Sequence, residues 1–536
     1  MFKKAVPILL AGLCAAGATH AHHSAAHSVE QSAAKGASGK TWITLGDAAY
    51  RQLQKLAPQV ISQASRAKVA GANEAATTHQ ERVHLVQVDE QQMLNLSHAV
   101  HHELRRCGGF MFHESEAAGL AALDKVADPG LATGLLAPSR PSYVINNQDI
   151  VTPMLPQMQD SNIAQTIVDL SSFTNRYYTT TSGVSASNWL AQRWQQMAAG
   201  RSDITVQQFT HSWAQKSVIL TIQGTDNASE VVVLGGHLDS IHRSGTSEST
   251  RAPGADDDAS GIASMTEVIR VMIANNYKPR RTIKFIGYAA EEVGLRGSQA
   301  IASNFKANNV NVVGVMQLDM TNYQGSANDI YIFTDYTDSA QNQFVANLLS
   351  TYLPTLKVGY DRCGYACSDH ASWHQQGFFA SMPFESSMSQ SNPNIHTSTD
   401  TYANMGNQAL HALKFARMAL AYAVELGSDG AAPPPPPDKV ETFSGTLART
   451  QKVTYGPFKV AAGGSLTAST TGSGDADLYV RRNSVPTTTS YDCRSIGSTS
   501  TENCTVSMTA NGDVYVMVYG YTASSYNLTV TYRPQQ

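Results

Sequence analysis

The sequence predicts an α/β protein in which a mostly parallel central sheet is flanked by helices, with a helical segment before it and a small all-β sandwich after it. Between residues 142 and 430, β-rich runs alternate with runs of helical spacing, which is typical of βα units around a parallel sheet. Residues 433–437 are consecutive prolines. Beyond them, short runs of alternating apolar residues are separated by Thr, Ser and Gly, which indicates a sandwich.

The length and charge of the chain limit its class. Its 536 residues exceed one ordinary domain, and about 150 residues per domain predicts roughly three or four segments. The formal net charge of -4 shows no basic excess, so we expect no nucleic-acid partner.

Residues 1–21 are predicted to be a signal peptide, because two lysines precede an apolar run that ends in the small-x-small sequence THA. Cys14 leaves a lipoprotein signal open, although Leu13 is larger than the residue that usually precedes a lipidated cysteine. No later run of about 18 apolar residues predicts a membrane span. We therefore expect a secreted, extracellular protein.

Residues 22–141 are predicted to be a helical pro-region. Helical spacing is found at residues 45–65 and 90–107, and a separate segment of this size in front of an exported unit is typical of a pro-region that assists folding or covers a site in cis. The many histidines of this segment suggest a metal tract, but their dispersion into amphipathic helices favours solvated surface.

The central segment, residues 142–430, contains the apolar runs that we interpret as strands. In such sheets ligands bind beyond the carboxyl ends of the strands. His237, Glu291, Glu292 and Asp319 each lie where an apolar run ends, so we expect them at one edge of the sheet.

Two further elements complete the chain. Residues 431–439 are predicted to be a stiff polyproline spacer between two folded units. Residues 440–536 are predicted to be the all-β sandwich.

Five side chains of types that bind metals lie in separate segments of the central unit, and Glu291 lies beside one of them. Imidazoles and carboxylates in this number are enough for two zinc ions, and Glu291 is left as a general base for hydrolysis. Asp239 is expected to orient the imidazole two residues before it. Each residue alone is also compatible with an ordinary polar role. The five candidate ligands are His237, Asp257, Glu292, Asp319 and His396.

Cysteine spacing predicts two local disulfides, Cys363–Cys367 and Cys493–Cys504. A metal site formed by the first pair with His370 and His374 is the alternative. Oxidising surroundings and short intervening loops favour the disulfide.

Seven motifs of the central segment together resemble the secreted bacterial leucyl aminopeptidases, which are co-catalytic di-zinc metallopeptidases. The resemblance extends from about residue 142 to residue 428, and the motifs follow one another in this order: GGHLDS, APGADDDASG, AAEEVGLRGS, LDMTNY, CGYACSDHASWH, MPFES and HTSTDT.

The resemblance implies a zinc pairing and a mechanism. One ion would be held by His237, Glu292 and the bridging Asp257, and the other by Asp319, His396 and the same Asp257. Glu291 would deprotonate a water that bridges the ions, and this water would attack the first peptide carbonyl. The resemblance also implies a pocket for leucine and other large hydrophobic side chains, lined by Met320, Phe333, Cys363, Tyr365, Cys367, Met382, Phe384 and Ile395.

Residues 440–536 resemble the bacterial pre-peptidase C-terminal domain in DADLYVRR, YVMVYGY and the cysteine pair. We therefore expect a secreted zinc-dependent aminopeptidase made as a zymogen, acting on peptide or protein N-termini and monomeric. Two alternatives stay open from the sequence. The same scaffold serves carboxypeptidases, dipeptidases and glutaminyl cyclases. The alternative outside the enzymes is a surface adhesin that acts through its C-terminal sandwich.

Overall fold

The computed structural model describes residues 39–68, 81–104, 108–127, 140–428, 438–461 and 463–535. The predicted signal peptide lies outside these residues, and so does most of the predicted proline spacer. The described residues form three units along the chain: an N-terminal unit (40–127), a central unit (140–428) and a C-terminal unit (438–535).

The N-terminal unit corrects the prediction of a helical segment. It is an antiparallel four-stranded sheet in the order β2-β3-β1-β4, accompanied by three helices. The segments of helical spacing do contain helices, but runs such as RVHLVQVD are strands. Burial alternates along this one, β3, except at Leu85 and Val86, which are both buried. The elements are β1 Lys40–Gly46, α1 Asp47–Leu56, β2 Ala64–Ala67, β3 Arg82–Asp89, α2 Glu90–Leu104, β4 Phe110–His113 and α3 Glu116–Ala127.

The central unit confirms the predicted α/β architecture. Its eight strands follow the order β11-β10-β12-β9-β7-β8-β6-β5. The pairs β7·β8, β7·β9, β9·β12 and β10·β11 are parallel, and the remaining pairs are antiparallel. The strands are β5 Ile204–Phe209, β6 Ser217–Ile222, β7 Asn227–His237, β8 Arg281–Tyr288, β9 Asn311–Gln317, β10 Ile330–Phe333, β11 Val358–Asp361 and β12 Ala380–Phe384.

Helices cover this sheet and bury its central strands. The last seven residues of β7 are buried without interruption, as expected for a parallel strand covered on both faces. Among the described residues, every helix is too short or too polar to cross a bilayer. The helices are α4 Gln148–Met154, α5 Asp160–Ser172, α6 Thr181–Met197, α7 Ala259–Ala274, α8 Arg296–Ala307, α9 Ser339–Tyr352, α10 His370–Gln375 and α11 Leu410–Ser428.

The C-terminal unit confirms the predicted all-β sandwich. Two antiparallel four-stranded sheets, β13-β20-β15-β18 and β14-β19-β16-β17, enclose one apolar core. The disulfide between Cys493 and Cys504 is present. The strands are β13 Lys439–Leu447, β14 Lys452–Val460, β15 Ser465–Ser473, β16 Ala476–Arg482, β17 Cys493–Ser495, β18 Glu502–Ser507, β19 Gly512–Gly520 and β20 Ser524–Tyr532.

Candidate metal centre

The carboxyl edge of the central sheet brings all five candidate ligands together. His237 ends β7, Asp319 follows β9, Glu292 follows β8, Asp257 precedes α7, and His396 lies on the loop after β12. Each of these side chains is at most 4% exposed. Parallel strands that end at one edge explain how segments so far apart in sequence meet.

The five side chains form two groups that share Asp257. His237 Nε2 lies 2.9 Å from Asp257 Oδ1 and 3.6 Å from Asp319 Oδ1. His396 Nε2 lies 3.1 Å from Asp257 Oδ2 and 2.9 Å from Glu292 Oε2. In each group the candidate ligand atoms lie within 4.8 Å of one another. The two oxygens of Asp257 thus face different histidines, as a bridging carboxylate requires.

This arrangement corrects the pairing that the resemblance implied. Asp319 belongs with His237, and Glu292 belongs with His396. β7 lies between β9 and β8, so Asp319 and Glu292 reach its end from opposite flanks, and the Leu318 amide donates to the Gly235 carbonyl at 2.7 Å. Asp319 is therefore carried to the end of β7, beside His237.

Several atoms of these side chains and of Glu291 are buried and make no hydrogen bond, although some of them lie about 3 Å from one another. They are Asp257 Oδ2, Glu291 Oε1, Glu292 Oε1, Asp319 Oδ1 and His396 Nε2. Buried polar atoms are normally paired, because leaving one unpaired costs about 1–3 kcal/mol. Imidazole nitrogens and carboxylate oxygens are common zinc ligands. The residues therefore fit metal ions.

Crowding of buried charges shifts the titration of these groups. Burial raises the pKa of Glu291 well above its ordinary value, and the neighbouring Asp369 raises it further. Burial also raises the pKa of Glu292, to about 7. Burial acts to lower the pKa of His396, but the carboxylates of Glu292 and Asp257 outweigh it and raise that pKa to about 10. The carboxylates thus compete for too little positive charge, which cations would supply.

Asp239 lies beside His237 and also holds the turn that carries both glutamates. The imidazole of His237 is oriented by the main chain of Asp239, since Nδ1 donates to its carbonyl oxygen at 3.1 Å. The Asp239 carboxylate lies 3.6 Å from that nitrogen. It also accepts from the backbone amides of Glu291 (2.9 Å) and Glu292 (3.1 Å). Asp239 therefore positions the turn that carries both glutamates.

Sequence reasoning missed two other carboxylates that hold the ligand backbone. Asp258 caps α7 through the Gly261 amide at 2.9 Å and also accepts from the His237 amide at 2.9 Å. Asp400 accepts from the amides of Asp256 at 3.0 Å and Asp257 at 3.2 Å. The three aspartates at 256–258, just before α7, are a sequence pattern that indicates a helix cap. No local sequence pattern indicates the role of Asp400.

Seven of the eight predicted pocket residues form one buried apolar cluster. The disulfide Cys363–Cys367 is present. His370 donates its Nε2 proton to the Asp335 carbonyl at 3.0 Å, so the alternative metal site at these cysteines is wrong. The cluster contains Met320, Phe333, Cys363, Cys367, Met382, Phe384 and Ile395, together with Met388.

Tyr365 lies outside that cluster and contacts the N-terminal unit. Its hydroxyl donates to Thr44 Oγ1 at 2.8 Å, and Thr44 is in turn 2.8 Å from His113 Nε2. The Gly109 amide donates to the next carbonyl, that of Ala366, at 3.3 Å. The N-terminal unit therefore holds the loop between the two cysteines.

The N-terminal unit also lies against the metal centre itself. The ring of His101, in α2, is centred 5.3 Å from the ring of His396. Tyr177 of the central unit donates its hydroxyl to Glu90 at 3.1 Å. The Phe112 amide donates to the carbonyl of Gly294 at 3.0 Å. Helix α2 and strand β4 thus border the candidate site.

Comparison with known proteins gives two family matches. The family described as peptidase family M28 matches residues 217–422, which include all five candidate ligands. The bacterial pre-peptidase C-terminal domain matches residues 453–520. Each match falls within one of the units described above.

Individual relatives share most of their length with this chain. Leucine aminopeptidase 1 of Coccidioides posadasii (strain C735) is 36% identical over 296 residues, which cover 53% of this chain and 75% of that protein. Leucine aminopeptidase 1 of Aspergillus niger is 38% identical over 292 residues, covering 52% and 73%. The LapA aminopeptidase of Legionella pneumophila is 31% identical with a TM-score of 0.59, covering 73% and 99%.

Proposed function

Because this chain belongs to peptidase family M28 and is a zinc aminopeptidase, we propose that it is secreted and removes leucine and other large hydrophobic residues from peptide N-termini. The observation that carries this proposal is the pair of ligand groups that share Asp257 next to the buried carboxylate of Glu291 and the apolar cluster behind Met320. The two ligand groups and the apolar cluster adjoin through Met320, next to Asp319, and Ile395, next to His396.

We propose two zinc ions per central unit. His237, Asp257 and Asp319 would hold one, and Asp257, Glu292 and His396 would hold the other. Zinc bound here supplies polarisation of the scissile carbonyl and acidification of the attacking water.

Glu291 is proposed as the general base. Its backbone is held by Asp239, and its Oε1 is buried without a protein partner, so this oxygen is free to accept the proton of the attacking water. The same carboxyl group can then return that proton to the amine of the departing peptide.

The pocket is proposed to select the first side chain. Phe333 and Phe384 pack with ring centroids 4.7 Å apart, and the methionines beside them present flexible apolar surface. Such a lining favours leucine-like side chains over polar ones. A free N-terminal amine would be bound by the remaining carboxylate charge at the centre.

Residues 22–141 are proposed to act in cis as a pro-region. The support is the position of α2, whose His101 contacts His396, and the hold of Thr44 on Tyr365. We place the central unit at residues 142–430, the spacer at 431–439 and the C-terminal domain at 440–536, in a monomeric protein.

The proposal is tested with Glu291→Gln and two substrates. Wild-type protein should hydrolyse leucine p-nitroanilide, lose this activity on chelation, and leave N-acetyl-leucine p-nitroanilide intact. Glu291→Gln should keep its bound zinc but lose roughly 100- to 10,000-fold in kcat. Near-normal kcat in this variant excludes Glu291 as the base, and cleavage of the blocked substrate excludes an aminopeptidase.

A further inference from the structure

A fully buried arginine lies behind the candidate metal centre. Arg176, in the segment between α5 and α6, is 1% exposed. Its guanidinium donates to main-chain carbonyls rather than to a carboxylate: to Leu238 at 2.7 Å, to Gly254 at 2.9 Å, and to Pro253. A longer contact reaches the carbonyl of Asp257 at 3.5 Å. The mechanism proposed above assigns this residue no task.

Apart from the Leu170 carbonyl in α5, at 3.4 Å, the carbonyls that Arg176 binds belong to two ligand-bearing segments. Leu238 directly follows His237 at the end of β7, whereas Pro253 and Gly254 begin the turn that presents Asp257. The guanidinium is rigid and planar, so its several N–H groups set the separation of these two segments.

The amide of Arg176 is linked to the same two segments, and its carbonyl is bound by Gln215. Its amide donates to Ser240 Oγ at 3.0 Å, and this hydroxyl donates to the Ala252 carbonyl at 2.8 Å. Gln215 donates to the Arg176 carbonyl at 2.9 Å. The side chain is also closely enclosed, because a Cβ placed on Gly254 would lie 2.7 Å from Arg176 Nη2. The guanidinium therefore has one position.

Charge gives a second reason for an arginine here. The nearby acids Asp400, Asp258, Asp257 and Asp239 all interact electrostatically with Arg176. Asp400, Asp258 and Asp239 hold the backbone of the candidate ligands and the base, as described above. An unpaired buried charge destabilises a protein strongly, so the guanidinium and these carboxylates offset one another.

We propose that Arg176 is a positioning residue of the metal centre, which holds the end of β7 and the turn at Asp257 at the separation that lets His237 and Asp257 bind one cation. It does not touch substrate. This inference rests on the proposed metal centre and extends it to a residue outside the ligand set.

The test compares Arg176→Lys with Arg281→Lys. Arg281 is also a buried arginine that donates to a carbonyl, that of Leu426 at 2.8 Å, but it lies at the opposite end of β8. Lysine keeps the positive charge at either position but lacks the planar guanidinium with its several N–H donors. Zinc per protein is measured after dialysis against graded EDTA, together with the melting temperature, kcat and KM for leucine p-nitroanilide.

Arg176→Lys should lose zinc at about 10- to 100-fold lower chelator, with kcat reduced and partly restored by added zinc, and with KM little changed. Arg281→Lys should keep wild-type zinc retention even where its melting temperature falls. Wild-type zinc retention in Arg176→Lys, or equal zinc loss in both variants, overturns the proposal.

A milder variant covers the case in which Arg176→Lys does not fold. Ser240→Ala keeps the guanidinium and removes the hydroxyl that links the Arg176 amide to Ala252. It should weaken zinc retention in the same direction but to a smaller extent, and wild-type retention in this variant counts against the proposal. A wild-type protein that retains no zinc at all would instead refute the proposed function.

Discussion

Replacing Asp239 by asparagine should damage catalysis more than folding. The Asp239 carboxylate accepts from the amides of Glu291 and Glu292 at 2.9 and 3.1 Å and is fully buried. Asparagine has the same shape but only one acceptor oxygen. In either orientation, one of the two amides then faces an NH₂ group.

The size of the effect follows from the lost hydrogen bond. A bond to a charged acceptor contributes about 1.5–3 kcal/mol. Since about 1.4 kcal/mol corresponds to a factor of ten in rate, displacement of the turn carrying Glu291 should lower kcat roughly 10- to 100-fold. The KM for leucine p-nitroanilide should change little, because the pocket residues are untouched.

A matched control separates this effect from general destabilisation. Asp335 is also buried and accepts from two backbone amides, those of Cys363 at 2.7 Å and Gly364 at 3.1 Å. Both amides donate to Asp335 Oδ2, so Asp335→Asn keeps their acceptor and loses the ion pair of Oδ1 with Lys68 at 3.2 Å. It should lower the urea midpoint and leave kcat for leucine p-nitroanilide unchanged. If Asp239→Asn retains kcat within twofold of wild type while losing stability, the positioning role of Asp239 is refuted.

Three further outcomes are expected. A cut between residues 127 and 140 that releases the N-terminal unit should raise activity on leucine p-nitroanilide. Unchanged activity in the released form would contradict the proposal that this unit covers the metal centre. Phe384→Ala should shift preference from leucine towards phenylalanine substrates by about 10-fold or more in kcat/KM; Tyr360→Ala, at an exposed site, is the control. Burial lowers the pKa of His113 to about 4. On acidification, the unfolded chain therefore takes up a proton at His113 at a higher pH than the folded chain does. The urea midpoint of the N-terminal unit should therefore decrease as the pH is lowered from 6.5 to 4, and it should decrease less in His113→Gln.

The sequence predicted the central architecture because local patterns carry that information. Alternating strand and helix runs, and polar residues at the ends of apolar runs, were sufficient to place His237, Glu292 and Asp319 at one sheet edge. The disulfide between Cys363 and Cys367 followed from spacing and compartment. These features depend on neighbours in sequence or on the general geometry of parallel sheets. The roles of the candidate ligands and of Glu291 stay predictions.

Features that depend on distant contacts were not predictable in this way. The grouping of Asp319 with His237 depends on how the chain leaves β8 and β9, which both flank β7. The carboxylate of Asp400 acts on amides more than 140 positions away, and no spacing rule indicates it. The strands of the N-terminal unit are short, and the helical spacing around them dominated the interpretation.

The hydrogen bond between Tyr365 and Thr44 joins positions 321 residues apart in the chain. A substitution at Tyr365 therefore changes two things together: the loop next to the proposed pocket, and the contact between this loop and the N-terminal unit. Altered selectivity measured on the full-length chain cannot be assigned to substrate contact alone. Efforts to redesign this loop have to satisfy both neighbours, and a parallel change at Thr44 reveals which of them is responsible.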